Sequence, residues 1–380
     1  YTGQPAVIPL GLTWEKSTTL NLGLDFAFLS NRLQFSGDIY QRKTTDMFTV
    51  GMSLPAVFGT DVPKGNYADL TTKGFELSVS WRDQFQLASK PFNYEVRFTL
   101  ADYQSTIDKY NNPEKKLGDD YYYEGMKVGE IWGYETEGFF TSQADIDSHA
   151  KQPYFYAGAT AGQWLPGDIK FKDLNGDGVI DYGNNTVDNP GDQKIIGNSE
   201  PRFIYGINLS GDWNNFFVSA FFQGVGKQDW WPGSEASYFW GMYNRPYNDM
   251  PKSHLGNIWT EENPNTYFPR LRGYSSEEPY AELNLKQTRY LQNIAYIRMK
   301  NIQLGYTLPK SFISKLRMQN AKVYVSGENL WSWSPFYKYS KDLDVEAVRG
   351  SDRDLTEGTS GNGYSYPILK SVSFGLSVTF

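Results

Sequence analysis

One stretch in mid-chain has the spacing of an ion-binding loop. Asp173, Asn175, Asp177, Val179 and Asp181 fall at positions 1, 3, 5, 7 and 9 of a calcium-type loop, with Gly178 at position 6. In such a loop alternate side-chain oxygens converge on one hard cation, position 7 lends its carbonyl, and glycine permits the sharp turn. Position 12 is Asn184 rather than a bidentate Glu, and no helices flank the stretch, so it is not an EF-hand and would hold Ca2+ more weakly. The ion would stiffen a surface loop rather than catalyse. A second reading is a turn rich in Asp, Asn and Gly that caps itself by local hydrogen bonds. The residues alone leave both open.

A second group is aromatic. Trp230, Trp231, Trp240 and Tyr247 share a stretch with Asn244 and Asn248. Rings of this kind stack on sugar faces or pack peptides, which makes them candidate contacts to a substrate or a partner protein. They would equally pack a loop or sit in a membrane girdle. Nothing in the chain points to an enzyme. Gly224-Val225-Gly226 lacks the third glycine and the strand-helix context of a nucleotide site, and there is no GxSxG or P-loop. Acidic residues are numerous, but none can be paired as acid and base. The absence of cysteine rules out disulfides and thiolate metal sites, and His149 and His254 are too few for a His-rich zinc or iron site. A net charge of -7 argues against nucleic acid.

The elements that must position these groups are strands. Val372, Phe374, Leu376, Val378 and Phe380 alternate with Ser371, Ser373, Gly375, Ser377 and Thr379. That is a closing β-strand with one apolar face and one face of small polar groups, and the terminal aromatic makes it a strand that closes something. Soluble faces favour Lys, Glu and Thr, whereas small side chains suit a lumen. The chain is 17% aromatic, as an outer-membrane barrel with interfacial girdles would be. Its mean hydropathy of -0.55 does not exclude a barrel, because a spanning strand needs only about 9–11 residues, half of them polar. No stretch approaches about 18 consecutive apolar residues, so no spanning helix is expected.

Further strands are expected at residues 19–28, 33–40, 74–81, 92–100, 203–209, 290–308, which alternates from 301 on, and 323–330, and at 216–223, where both faces are apolar and parity does not set the register. Ser30-Asn31 is a tight turn, 126–140 reads as a hairpin inside a loop, 142–150 as a short helix, and 309–319 as a compact turn. Glu76, Glu95 and Arg97 sit on non-apolar faces, placed to pair across neighbouring strands. Long excursions cover about 43–72, 102–200, 224–286 and 331–366, so connections alternate short and long. This is the pattern of short periplasmic turns and long extracellular loops. The fold class is therefore all-β, an antiparallel transmembrane β-barrel. About nine spanning strands are odd in number and would leave bare edges in lipid, so the rest of the barrel is expected in an upstream segment. Residues 2–12 lack the basic start of a signal peptide, which also points to a piece of a longer polypeptide.

Several stretches together resemble the SusC/RagA type of TonB-dependent transporter. They are Leu12-Thr13-Trp14-Glu15-Lys16 with Leu22-Gly23-Leu24-Asp25-Phe26 and Asn31-Arg32-Leu33, Lys73-Gly74-Phe75-Glu76-Leu77, and the 173–181 loop. Residues 196–203 (IGNSEPRF), 296–306 (YIRMKNIQLGY), 326–330 (SGENL) and Phe380 complete the series. The resemblance implies part of a plugged outer-membrane barrel of about 22 strands. It implies import of oligosaccharide or peptide, a SusD-like surface lipoprotein as lid, and TonB acting through an N-terminal part. On that reading this chain supplies barrel wall and extracellular loops, with no plug and no TonB-contact segment. Two other readings stand beside it: a secreted array of carbohydrate-binding β-sandwiches, and a passive porin.

Overall fold

The computed structural model describes residues 11–51, 62–118, 121–152, 164–234, 236–244, 247, 250–277, 281–348 and 366–380. In chain order the strands are β1 (Lys16–Phe28), β2 (Leu33–Val50), β3 (Lys64–Leu87), β4 (Lys90–Lys109), β5 (Glu130–Tyr134), β6 (Thr136–Phe139), β7 (Ile169–Phe171) and β8 (Gln193–Asn198). They continue as β9 (Arg202–Trp213), β10 (Phe216–Lys227), β11 (Asp229–Trp230), β12 (Gln292–Asn293), β13 (Tyr296–Thr307), β14 (Asn320–Trp333) and β15 (Ser371–Thr379). Three short helices, α1 (Gln143–Ser148), α2 (Ser237–Trp240) and α3 (Lys310–Ile313), lie in the connections. None of the described helices is long and apolar enough to cross a membrane.

Nine strands form one antiparallel sheet in the order β1-β2-β3-β4-β9-β10-β13-β14-β15. Each sheet strand pairs with the next sheet strand in the chain, so the sheet is a meander. Successive connections in a meander leave from opposite ends. The short ones, 29–32, 88–89, 214–215 and 308–319, therefore share one end, and the long ones share the other. Two of the short turns use two left-handed residues: Ala88 and Ser89 at φ 47 and 61, and Asn214 and Asn215 at φ 48 and 69. That backbone matches the right-handed twist of the flanking strands.

Pairing holds the apolar side chains in continuous rows. Phe26 faces Phe35, Phe35 faces Val79, Val79 faces Phe98, Phe98 faces Ile207, and Ile207 faces Phe222. Farther along, Val218 faces Leu304, Leu304 faces Val325, and Val325 faces Phe374. This face is left open: Leu20 is 76% exposed, Leu22 69% and Phe374 87%. An apolar band of that extent is tolerable only against hydrocarbon. The opposite face is polar and knitted across strands. Asn21 Nδ2 donates to Asp38 Oδ1 at 3.1 Å and Asn93 Nδ2 to Asp212 Oδ2 at 2.8 Å. Arg82 meets Glu95 at 3.7 Å, and Arg97 donates to Ser78 Oγ at 3.3 Å rather than pairing with Glu76. The sheet is thus the antiparallel wall of a transmembrane barrel, and its described edges are β1 and β15. Gly375 belongs to the small-residue face of β15 for a steric reason. A Cβ there would lie 2.1 Å from Cζ of Tyr324, whose ring crosses over from β14.

The wall strands are longer than their alternating segments. β2 runs on to Val50 and β3 begins at Lys64, with Thr44 opposite Leu70, inside what alternation marks as loop. Twenty-four residues of β3 span about 80 Å at ~3.3 Å each, far more than the hydrocarbon thickness. Above the bilayer the outward positions no longer need to be apolar, so the periodic signal ends before the strand does. Residues 126–140 do not fold back as a hairpin. Their two strands, β5 and β6, pair instead with the later β8 and β7.

Candidate functional site: the loop assembly above the barrel

Three of the long connections fold together. Tyr134, Phe171 and Ile180 from the first, Trp230, Phe239, Trp240, Tyr243, Phe268 and Tyr290 from the second, and Phe336, Leu343 and Val348 from the third share one buried core. Small sheets seed it: β5–β8 and β6–β7 in the first connection, β11–β12 in the second. Ring contacts join the pieces. Trp230 meets Phe336 edge-on at 5.9 Å, and Tyr267 stacks on Tyr339 at 4.1 Å. Aromatic pairs in these geometries add to the stabilisation from burial itself. The N-terminus of α1 is capped by Ser142, whose Oγ accepts from Asp145 N at 3.2 Å.

Two buried charge clusters fasten the assembly. In the first, Asp168 is fully buried. It accepts from Arg270 Nε at 2.5 Å and from Arg272 through both Nε and Nη2, and its Oδ2 accepts from Leu165 N at 2.8 Å. Glu282, also buried, accepts from Ile169 N at 3.0 Å. Burial, and then the Asp168 charge, push its carboxyl up to about 8, so it holds a proton at neutral pH. Asp168 and Ile169 belong to the first connection and the arginines and Glu282 to the second, so this cluster bolts the two together. The second cluster ties the third connection to the wall. From β13, Arg298 reaches Asp344 Oδ1 at 2.6 Å and Glu346 Oε1 at 2.9 Å, and Lys300 reaches Glu346 Oε2 at 2.5 Å.

The 173–181 loop is held by its own turns. Asp173 accepts from Gly176 N at 2.6 Å and Gly178 N at 2.9 Å; Asn175 accepts from Asp177 N at 2.9 Å, and Asp177 from Val179 N at 2.9 Å. Asp181 accepts from Gly183 N at 2.7 Å. Gly176 and Gly178 take φ of 78 and 84, where a side chain would be strained. Buried Asp192, outside the spaced set, braces the loop by accepting from Leu174 N at 2.7 Å and Asp181 N at 2.9 Å. Among the described residues no group of three or more Asp, Glu, His or Cys is placed to hold a metal ion. The oxygens of Asp173, Asn175 and Asp177 are taken up by N–H groups of the loop itself, Val179 N among the donors.

The aromatic candidates divide. Trp230 and Trp240 are buried, with Trp240 Nε1 donating to the carbonyls of Pro232 and Gly233 at 3.0 Å. They are packing residues, not contacts, because a large ring with a single polar N–H buries well once that donor is satisfied. Trp231 packs against the same core, half-buried. Tyr247 alone projects into solvent, at 80% exposure. Asn244 bonds Ser237 and Ser234 inside the assembly, and Asn248 lies outside the described residues. Phe374, Leu376 and Phe380 of the closing strand face outward in the exposed band, with Val378 half-buried on the same strand. Sequence reasoning missed both charge clusters and a recess between Tyr267, Arg289 and Tyr339. The signal available for the second cluster was a pair of cations two residues apart in β13, Arg298 and Lys300.

No family model matches the chain. The chain is similar to TonB-dependent receptor P3 of Formosa agariphila, 28% identical over 387 residues, covering 97% of this chain and 34% of that protein. It is similar to TonB-dependent receptor SusC of Bacteroides thetaiotaomicron at 23% identity, over 100% of this chain and 33% of that protein. It shares its fold with a solved RagAB peptide transporter at a TM-score of 0.69 and 20% identity, covering 97% of this chain and 36% of the other. The chain spans about a third of the length of the relatives it matches. With a wall apolar outside and polar inside, and long connections gathered at one end, the chain has the fold of a TonB-dependent receptor's barrel region, resembles the SusC/RagA type along nearly its whole length, and is an outer-membrane segment.

Proposed function

We propose that the protein carrying this chain imports oligosaccharide or peptide across the outer membrane, drawing energy through TonB and working with a SusD-like surface lipoprotein as lid. The chain contributes barrel wall and the loops that meet substrate or lid. The observation that carries this reading is the welding of three long connections into one body at the mouth of the wall. A passive pore needs a constriction, not a packed platform. A platform built on aromatic cores and buried ion pairs suits repeated docking of a partner. The likeness to receptors of the TonB-dependent type, and to a protein described as a peptide transporter, points the same way.

The test uses the full-length protein in planar lipid bilayers and in cells. An energised importer gives no steady conductance on its own, and uptake of its substrate stops when TonB is deleted. A stable open channel, with uptake unchanged in the TonB deletion, would mean a porin instead.

A further inference from the structure

We propose that a recess in the loop assembly binds an anionic group on a sugar ring, so that the imported substrate is an acidic oligosaccharide. This rests on the import reading above and names its substrate class. The recess has a volume of about 450 Å3 and is lined by Ser253, Asn257, Thr266, Tyr267, Arg289, Lys338 and Tyr339. That volume lies within the range of small-ligand sites, roughly 300–1,000 Å3. The chain carries 43 acidic residues against 36 basic, yet this wall has two cations and no carboxylate.

The cations differ in how they are held. Arg289 is fixed: Nε donates to Tyr267 O at 3.0 Å and Nη2 to Thr266 O at 2.6 Å, and the guanidinium lies 4.0 Å from the Phe139 ring centre. Lys338 is exposed, with Nζ 5.3 Å from the Tyr339 ring centre and no ion-pair partner among the described residues. Elsewhere in the assembly Lys170, Lys172, Lys194, Arg270 and Arg272 each meet a carboxylate. Lys338 ends the short helical turn Pro335–Lys338, which is capped by Ser334 Oγ accepting from Phe336 N at 3.2 Å and anchored by buried Phe336. Its base is therefore rigid, and its side chain lines the recess beside Tyr339.

The remaining wall suits a ring with hydroxyls. Tyr267 and Tyr339, stacked on each other at 18°, both line the recess and border it with aromatic carbon. Asn257 is steadied by its Nδ2 donating to Ser253 O at 2.8 Å, which leaves its amide oxygen to accept from a hydroxyl. A charge-assisted bond to Lys338, an aromatic border and amide and hydroxyl partners describe a uronate or a sulfated sugar.

The experiment measures binding to the full-length protein in detergent by calorimetry. The probes are a galacturonate trimer, a sulfated disaccharide, neutral maltotriose and a tripeptide with a free carboxylate. At least one acidic sugar is expected to bind more tightly than maltotriose, and more weakly as salt rises. Lys338→Gln should weaken that probe about tenfold without changing the melting temperature, and Lys338→Arg should restore it. The uronate and sulfate arms tell the two sources of charge apart. The proposal fails if neither acidic sugar outbinds maltotriose, if Lys338→Gln binds both as the parent does, or if only the tripeptide responds to the substitution. The import reading stands or falls separately, on the conductance and TonB measurements.

Discussion

Arg298→Leu should uncouple the third connection from the barrel wall. The Arg298 side chain is 4% exposed, Asp344 8% and Glu346 14%, so removing the guanidinium leaves two carboxylates with little water. Breaking a buried ion pair from one side costs roughly 3–5 kcal/mol. Here part of the loss is offset. Glu346 keeps Lys300 at 2.5 Å, and Asp344 keeps the N–H groups of Glu346 at 3.0 Å and Ile368 at 3.1 Å. The cost should therefore sit at the low end, about 3 kcal/mol. The full-length protein, folded in detergent, would be unfolded in urea, with hydrogen exchange followed over residues 334–348. Exchange there should rise by about two orders of magnitude while the wall strands stay protected. The double variant Arg298→Leu with Asp344→Leu removes the stranded charge and should recover more than half of the loss. A single-variant cost below about 1 kcal/mol, or a double variant as unstable as the two single losses added, would refute the reasoning.

Three further outcomes are expected. Leu22→Arg, in the middle of the outward row of β1, should cost about 2–4 kcal/mol for folding into lipid vesicles, whereas Asn21→Arg beside Asp38 should cost under about 1; equal costs would mean the outward face does not meet hydrocarbon. Glu282 has its carboxyl raised to about 8 against an ordinary 4.5, so the folded state holds a proton that the unfolded chain releases between those values, and stability should fall as pH rises from about 4.5 to about 8. Glu282→Gln keeps an acceptor for Ile169 N and should flatten that slope, which melting at pH 5.5 and pH 8.5 would show; a variant with the parent's slope would assign the effect elsewhere. For the 173–181 loop we propose self-capping without a cation: millimolar Ca2+ or EDTA should leave the melting temperature unchanged, and a rise of several degrees with Ca2+ would restore the ion.

Most of the wall was legible because its constraint is periodic. A residue in β1 or β15 faces lipid or lumen according to parity alone, so Leu22 and Phe374 could be placed without knowing their neighbours. Strand ends were less legible, since β2 and β3 continue past the bilayer where parity no longer selects residue type. The loop assembly was least so. Its contacts join Asp168 to Arg272 and Trp230 to Phe336 across roughly a hundred residues, and no local pattern encodes such pairings. Trp240 illustrates the difficulty: a tryptophan in a polar loop has the same composition signal whether it greets a ligand or fills a core.

The shared core of the three connections also limits how such receptors diversify. Replacing one connection with that of a relative would strand Phe336 without Trp230, or Asp168 without its arginines. Workable chimaeras should therefore exchange the trio as a block, with crossover points falling inside the wall strands, and inherited changes in these connections should travel as a set rather than loop by loop.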